Sequence, residues 1–286
     1  MGDADALPDY VLDPNAVLND KDAAWRHGAP PDYSKTRAFY EESTQTPKLQ
    51  LMDPHKRLTI LSPAKQMTHA AGSLPDLVSN LVKNWEIEAS FKTSLDDWRT
   101  IDHSKYTFSL NGGPPQTGDH MLRVGTYNAL LTSSSYYDPE HNDFSTSHKA
   151  FKRMMPTFAW EVLEVYSGPP VVIFKWRHWG YMANDYVGYN KYASTFLDKV
   201  PMDTNQCSSR GEKVTVKAHG GLIDIQGIVI AKVNSSLQLE KIDVWFDPMD
   251  MFRQIAREEK VEGENKAAVD AAGVAAGCPV MGHGST

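Results

Sequence analysis

Residues 159–180 read AWEVLEVYSGPPVVIFKWRHWG, two runs of β-branched and aromatic residues separated by Ser167-Gly168-Pro169-Pro170. Such runs favour extended backbone, and a Gly-Pro step between them marks a hairpin connection. On the second arm Phe174, Trp176 and His178 share one face, and Lys175, Arg177 and Trp179 share the other. On the first arm Trp160, Val162, Glu164 and Tyr166 alternate with Ala159, Glu161, Leu163 and Val165. One face of this hairpin is expected to line a core. A glutamate buried there is costly unless paired, and Arg177 or Lys175 across the hairpin can pair with it.

Downstream, 213–234 (KVTVKAHGGLIDIQGIVIAKVN) and 237–248 (LQLEKIDVWFDP) supply two or three more strands, with a turn or bulge at His219-Gly220-Gly221 and a short helix from Met249 to Arg257. Upstream the period is helical. Ser73 stands as an N-cap with Pro75 and Asp76 in the first turn, and Leu74, Leu77, Val78, Leu81, Val82, Trp85 and Phe91 carry helical spacing to about Trp98. Residues 105–113 (KYTFSLNGG) form a strand ending in a tight loop. A helix over 119–131 (DHMLRVGTYNALL), capped by Thr117 or Asp119, and another from Phe144 to Met154 follow. Residues 180–212 lack a period and read as a loop over the sheet, of the kind that forms lids.

Helices first and an antiparallel meander afterwards define an α+β domain over 73–257, a strongly curved sheet covered by N-terminal helices and enclosing a pocket. Residues 1–72 read as an extended arm, tacked down by Trp25, Phe39 and Tyr40, with an insertion over 47–72. Residues 258–286 read as a weakly ordered tail.

The 286 residues are 41% hydrophobic and 10% aromatic, with 7 Trp and 12 Tyr, enough for a core and an aromatic-lined cavity. A net charge of −7 without a Lys/Arg stripe argues against nucleic acid as a partner. Only Cys207 and Cys278 occur, so a secreted disulfide framework is not expected. The opening MGDADALPDYVLDP lacks the basic and apolar regions of an export signal, and no run of about 18 apolar residues occurs. The expected location is cytoplasmic, with no membrane partner. Metal-ligand spacings, phosphate loops and Gly-x-Ser-x-Gly elbows are missing, so neither metal nor cofactor is expected. The Cys278-Pro279 dipeptide admits a haem-responsive reading, although it lies in the tail.

Several motifs carry a family resemblance: Trp25-Arg26-His27-Gly28-Ala29-Pro30-Pro31, Lys83-Asn84-Trp85-Glu86, Asn111-Gly112-Gly113, Gly125-Thr126-Tyr127-Asn128-Ala129-Leu130-Leu131 and Phe158-Ala159-Trp160-Glu161-Val162. The strongest is Tyr166-Ser167-Gly168-Pro169-Pro170 running into Phe174-Lys175-Trp176-Arg177-His178-Trp179-Gly180, supported by Gly227 and Asp247-Pro248. Together the chain resembles the plant and fungal pathogen-related proteins of the SnoaL-like, NTF2-like superfamily, from about residue 22 to 255, interrupted at 47–72. The resemblance implies a cone-shaped fold with an internal cavity. Relatives of that fold include polyketide cyclases, dehydratases and isomerases working without cofactors, and dimers are common among them. Fold alone does not specify chemistry.

Candidate chemistry follows from which side chains reach the pocket. His178 is a candidate general acid or base, because imidazole titrates near neutrality, and a packed histidine is the competing reading. From the helices, Glu86, Glu88, Tyr127 and His148 are the polar groups expected inward, and Trp85, Trp160, Trp176 and Phe174 the apolar lining. Such a set could move a proton on a polyketide or terpenoid and hold an enolate. The expected partner is a small lipophilic molecule handled by a cofactor-free cyclase, isomerase or dehydratase. A non-catalytic stress or interaction protein with a filled pocket, and a homodimer through the outer sheet face, are the other readings.

Overall fold

Alternating side chains build the sheet from the hairpin outward. The structure is a computed structural model and describes residues 6–34, 65–190 and 212–257; Phe39, Tyr40, Cys207, Cys278, most of the 47–72 segment and most of the proposed lid lie outside them. Strands β3 (Ala159–Ser167) and β4 (Val171–Tyr181) pair antiparallel, Glu161 opposite Arg177 and Trp160 opposite His178. Strand β7 (Leu222–Val233) lies on the far side of β4, with Gly227 opposite Trp176. A Cβ at Gly227 would meet Trp176 Cζ2 and the Trp245 carbonyl oxygen, both at 2.5 Å, so that indole can occupy its place only beside a glycine.

Strand β8 (Leu239–Trp245) pairs antiparallel with β7. Strand β1 (Thr107–Leu110) pairs with β8 in parallel, where an antiparallel meander was expected, and β2 (Gln116–Thr117) closes that edge. The sheet runs β2-β1-β8-β7-β4-β3 and stays open. Residues 180–190 also depart from the sequence reading. Tyr186–Tyr189 is a strand, β5, paired antiparallel with β6 (Lys213–Val216) in a second, two-stranded sheet. Its alternation is short and shared between two distant segments, so no local period betrays it.

Helix α1 (Asp9–Leu12) and a 3-10 turn (Ala16–Asn19) pack on helix α2 (Leu74–Phe91). The fully buried Asn84 of α2 accepts a hydrogen bond from Val17 N–H and donates to the Tyr10 and Asp13 carbonyls. Residues 9–19 are thus a packed element, with Val17 fully buried, rather than a strap laid loosely over the core. Helix α2 stops at Phe91, short of Trp98. Lys92 turns extended, pairs by its backbone with Trp25, and sends Nζ to Glu88 (3.0 Å), Asp20 (2.6 Å) and the Asp97 carbonyl (2.7 Å). A buried ammonium this well paired is held in one geometry, which fixes where the helix ends.

The 119–131 segment is two helices, α3 (Gly118–Val124) and α4 (Thr126–Leu130), broken at Gly125. Gly125 has φ +89°, and a Cβ there would lie 2.8 Å from the Phe144 ring. Thr117 caps α3 and Asp143 caps α5 (Phe144–Met154), each through the backbone N–H three residues on. Asp247 caps α6 (Pro248–Ile255) by accepting from Met249 N–H. The fold is α+β: a large, mostly antiparallel sheet with N-terminal helices.

Candidate ligand-binding cavity

The inward positions of β4, Val172, Phe174, Trp176 and His178, continue into Ile225, Val229, Ala231 and Val233 of β7 and into Ile242 and Val244 of β8. Facing them are Val78, Leu81, Val82 and Trp85 of α2, Tyr127 and Leu130 of α4, and His148 of α5. Between the two lies a cavity of about 880 Å³ with a predominantly apolar lining, a size suited to a drug-sized ligand. Of the residues singled out from the sequence, His178, Tyr127, His148, Glu86, Trp85, Trp160, Trp176 and Phe174 line it, whereas Glu88 turns away, its fully buried carboxylate held by Lys92 Nζ, the Arg99 and Thr100 backbone N–H groups and the Thr100 hydroxyl. Trp160, Trp176 and Tyr127 stand around the space and leave it open.

The aromatic walls are braced. Trp85 stacks on Phe108 (6.1 Å, 7°) and donates its indole N–H to Tyr106 Oη at 2.9 Å. Trp160 meets Phe174 edge-on, and Trp176 meets Phe246 likewise. Trp176 Nε1, by contrast, is buried without a hydrogen-bond partner.

His178 stacks closely on Phe158 (3.4 Å between ring centres) and its Nδ1 lies 2.6 Å from the Ala159 carbonyl. A carbonyl only accepts, so Nδ1 carries the proton and Nε2 keeps its lone pair. Burial lowers the His178 pKa to about 4, against a smaller raising effect of the Ala159 bond, so the ring is neutral at pH 7.

Tyr127, His148 and Glu86 form a second group across the cavity wall. The Tyr127 ring stacks on Phe151 (4.5 Å) and meets the edge of His148 at 5.3 Å, while His148 stacks on Phe144 (4.5 Å, 7°). His148 Nδ1 is buried and unpartnered. Burial first, then the positive charges of Lys152, Arg26 and His27, lower the His148 pKa to about 3. Burial, reinforced by the Glu86 charge, pushes the Tyr127 phenol well above its ordinary value, so it stays a hydrogen-bond donor. Glu86 accepts from Tyr33 Oη (3.0 Å) and Ser90 Oγ (3.2 Å). The structure therefore brings Tyr127 and His148 into contact, with Glu86 on the same cavity lining but bonded to Tyr33 and Ser90, while His178 sits apart on the sheet with no hydrogen bond or ring contact to any of them.

Lys152, which the sequence reading passed over, also lines the cavity, with Nζ 4.4 Å from the centre of the Phe91 ring. Its side chain is exposed, yet the protein packed around it holds its ammonium below the usual lysine range, partly offset by Glu86. Its signal was present: Lys152 stands four residues after His148 on one helix face. An ion pair was expected for a glutamate on the inward hairpin face; it forms instead on the face turned away from the cavity. Arg177 Nη1 reaches Glu161 at 3.1 Å, and Nη2 and Nε reach Asp224 at 2.8 and 2.9 Å. Glu161 also accepts from the Gln66 and Met67 backbone N–H groups. Among the described residues no group of three or more His, Cys, Asp or Glu is arranged to hold a metal, and no helix is long and apolar enough to cross a membrane.

Fold and site together define an α+β protein with a roomy apolar cavity between its sheet and its helices. The chain is similar in sequence to a protein described as pathogen-related. It is 27% identical over 270 residues to the Pathogen-related protein of Hordeum vulgare, covering 92% of this chain and 90% of that one. No protein-family model matches the chain. Among solved structures it is similar to a protein described as a SnoaL-like polyketide cyclase from Jannaschia sp. CCS1 (9% identity, 64% of this chain and 90% of that one, TM-score 0.31). Another is a protein with a ketosteroid isomerase-like fold from Catenulispora acidiphila (7% identity, 61% and 91%, TM-score 0.29).

Proposed function

We infer that the protein binds a small lipophilic molecule in this cavity. The observation that carries the reading is the cavity of about 880 Å³, apolar in most of its wall, among whose lining residues Trp176 and His148 each bury a polar atom that has no protein partner. An empty apolar space costs packing energy, and an unpartnered buried N–H costs about 1–3 kcal/mol. A ligand that fills the space and accepts from Trp176 Nε1 relieves both costs. The Tyr127 hydroxyl as donor and His178 Nε2 as acceptor fix its orientation.

A catalytic extension, cofactor-free proton transfer of the cyclase, isomerase or dehydratase type, draws its support from the Tyr127, His148 and Glu86 grouping. Its weakness is basicity. General bases work best with a pKa near the operating pH, and pKa values of about 4 for His178 and about 3 for His148 lie well below it. Both imidazoles are better suited to accepting a hydrogen bond than to taking a proton at pH 7, which favours binding over turnover.

The test is native mass spectrometry of the protein purified from its source, with extraction and identification of whatever travels with it. A stoichiometric lipophilic ligand recovered unchanged supports a binding protein. Conversion of that ligand by the wild type, slowed by Tyr127→Phe and His178→Ala, supports an enzyme. Failure to retain any ligand, together with no uptake of Nile red, sinks the reading.

A further inference from the structure

A second recess, of about 530 Å³, adjoins the cavity, and the two share His27, Phe91, His148 and Lys152 as common wall. Its charge is opposite to that of the protein. The chain carries −7 overall, yet this recess is lined by Arg26, Arg123, Lys149 and Lys152 against one carboxylate, Asp143. Asp143 is already engaged as the cap of α5, where it accepts from Thr146 N–H at 2.6 Å. Among the described residues no carboxylate lies within ion-pair distance of any of these four cations. The Arg123 guanidinium has one hydrogen bond among the described residues, to the His120 ring at 3.0 Å.

Arg26 is the least satisfied of them. Its guanidinium lies 3.6 Å over the Phe144 ring, and Nε is buried without a partner. Lys152, on the shared wall, has an exposed side chain whose ammonium lies over the Phe91 ring at 4.4 Å. Glu86 acts on Lys152 at a distance, but its oxygens are taken by Tyr33 and Ser90. Four cations set against one carboxylate that already caps a helix repel one another, and Arg26, the half-buried one among them, carries that cost farthest from water. An anion entering the recess removes that cost, and a guanidinium with free donors is the side chain best shaped to receive carboxylate or phosphate oxygens.

We propose that this recess receives the anionic oxygen head, carboxylate or phosphate monoester, of a ligand whose apolar body fills the adjoining cavity, so that the ligand class is an amphipathic acid. This rests on the cavity being a ligand site, as argued above. The shared wall makes the two spaces continuous in function: Lys152 lines both, and Arg26 lines the recess alone.

The experiment uses the full chain, with 11-(dansylamino)undecanoic acid as the fluorescent probe and dodecanoic acid, dodecyl phosphate and dodecanol as competitors below their aggregation limits. The expected result is displacement by an anionic competitor at a concentration about tenfold or more below that of the alcohol, the scale of one charge-assisted hydrogen bond. Arg26→Gln and Lys152→Met each shrink that ratio, and rising salt weakens the acids but not the alcohol. Dodecanoate displacing better than the phosphate assigns a carboxylate, and the reverse assigns a phosphate. Equal displacement by acid and alcohol on the wild type overturns the proposal while leaving the cavity reading intact, and this comparison needs no variant to fold. A ratio that neither substitution changes also overturns it. Absence of binding by the probe and by Nile red removes both readings together.

Discussion

On strand β4 three successive residues divide between two environments. Arg177 points to the outer face of the hairpin, 1% exposed, and its donors meet Glu161 and Asp224. Its neighbours Trp176 and His178 point to the cavity, where the indole N–H has no partner and the imidazole keeps one nitrogen free. Both faces bury polar groups, but one saturates them within the protein and the other leaves them open. A saturated buried network holds a strand in register, and an open one holds capacity in reserve for something else. That difference is why the outer face reads as structure and the inner face as a site, although each contains titratable side chains that a sequence scan would flag equally.

The largest expected effect comes from breaking the saturated face. Arg177→Met strands the Glu161 and Asp224 carboxylates without their counter-ion, and removal of one partner from a buried pair costs about 3–5 kcal/mol. Urea unfolding should show a loss of that size, with lipophilic probe binding by the folded fraction unchanged. A loss below about 1 kcal/mol, or probe binding abolished in protein that is still folded, would erase the distinction between the two faces.

Acid titration sharpens the comparison from the inner side. His178 has a folded pKa of about 4 against an ordinary value of 6.5, because burial disfavours its charged form. Between those values the unfolded chain binds more protons than the folded one. The contribution is therefore fully present above pH 6.5, is lost as pH falls toward 4, and changes no further below. At about 1.4 kcal/mol per pH unit the full loss is about 3 kcal/mol. His148, lowered in the same direction, adds to the slope. Unfolding free energies measured from pH 7.5 to 4.5 should fall for the wild type and fall less steeply for His178→Asn, whose amide can still donate to the Ala159 carbonyl. Identical slopes would mean that His178 is not held neutral.

Much of this comparison could be read from residue order. The hairpin, the division of β4 into two faces, the Glu161 and Arg177 pairing and the aromatic lining all follow from period-two alternation, a local property. What escaped the reading depends on contacts between distant segments or on backbone geometry. The parallel pairing of β1 with β8 is a choice of partner rather than a pattern within either strand. The break at Gly125 arises from a left-handed φ forced by Phe144 packing on it. Lys92 ends α2 through Asp20, which belongs to another segment. The cationic recess joins Arg26 to Lys152 across most of the N-terminal half, and neither residue alone distinguishes itself from a solvated surface charge.

The smallest expected effect is also the most discriminating. Trp176→Phe removes an indole N–H that has no protein partner, so it gives up packing area without breaking a hydrogen bond. Gly227 leaves just enough room for the indole, and the smaller ring relaxes that contact. The change in stability should stay within about 1 kcal/mol, because trimming one aromatic ring and deleting an orphan donor act in opposite directions. Binding should respond differently: a ligand that accepts from Nε1 loses that bond and weakens about three- to tenfold. Trp98 supplies the control. It is fully buried, its Nε1 is also unpartnered, and it does not line the cavity. Trp98→Phe should therefore leave ligand affinity where it was. If the two substitutions weaken binding equally, the open N–H on the inner face is a packing defect like the other one, and the site must find its polar contact in Tyr127 or His178 instead.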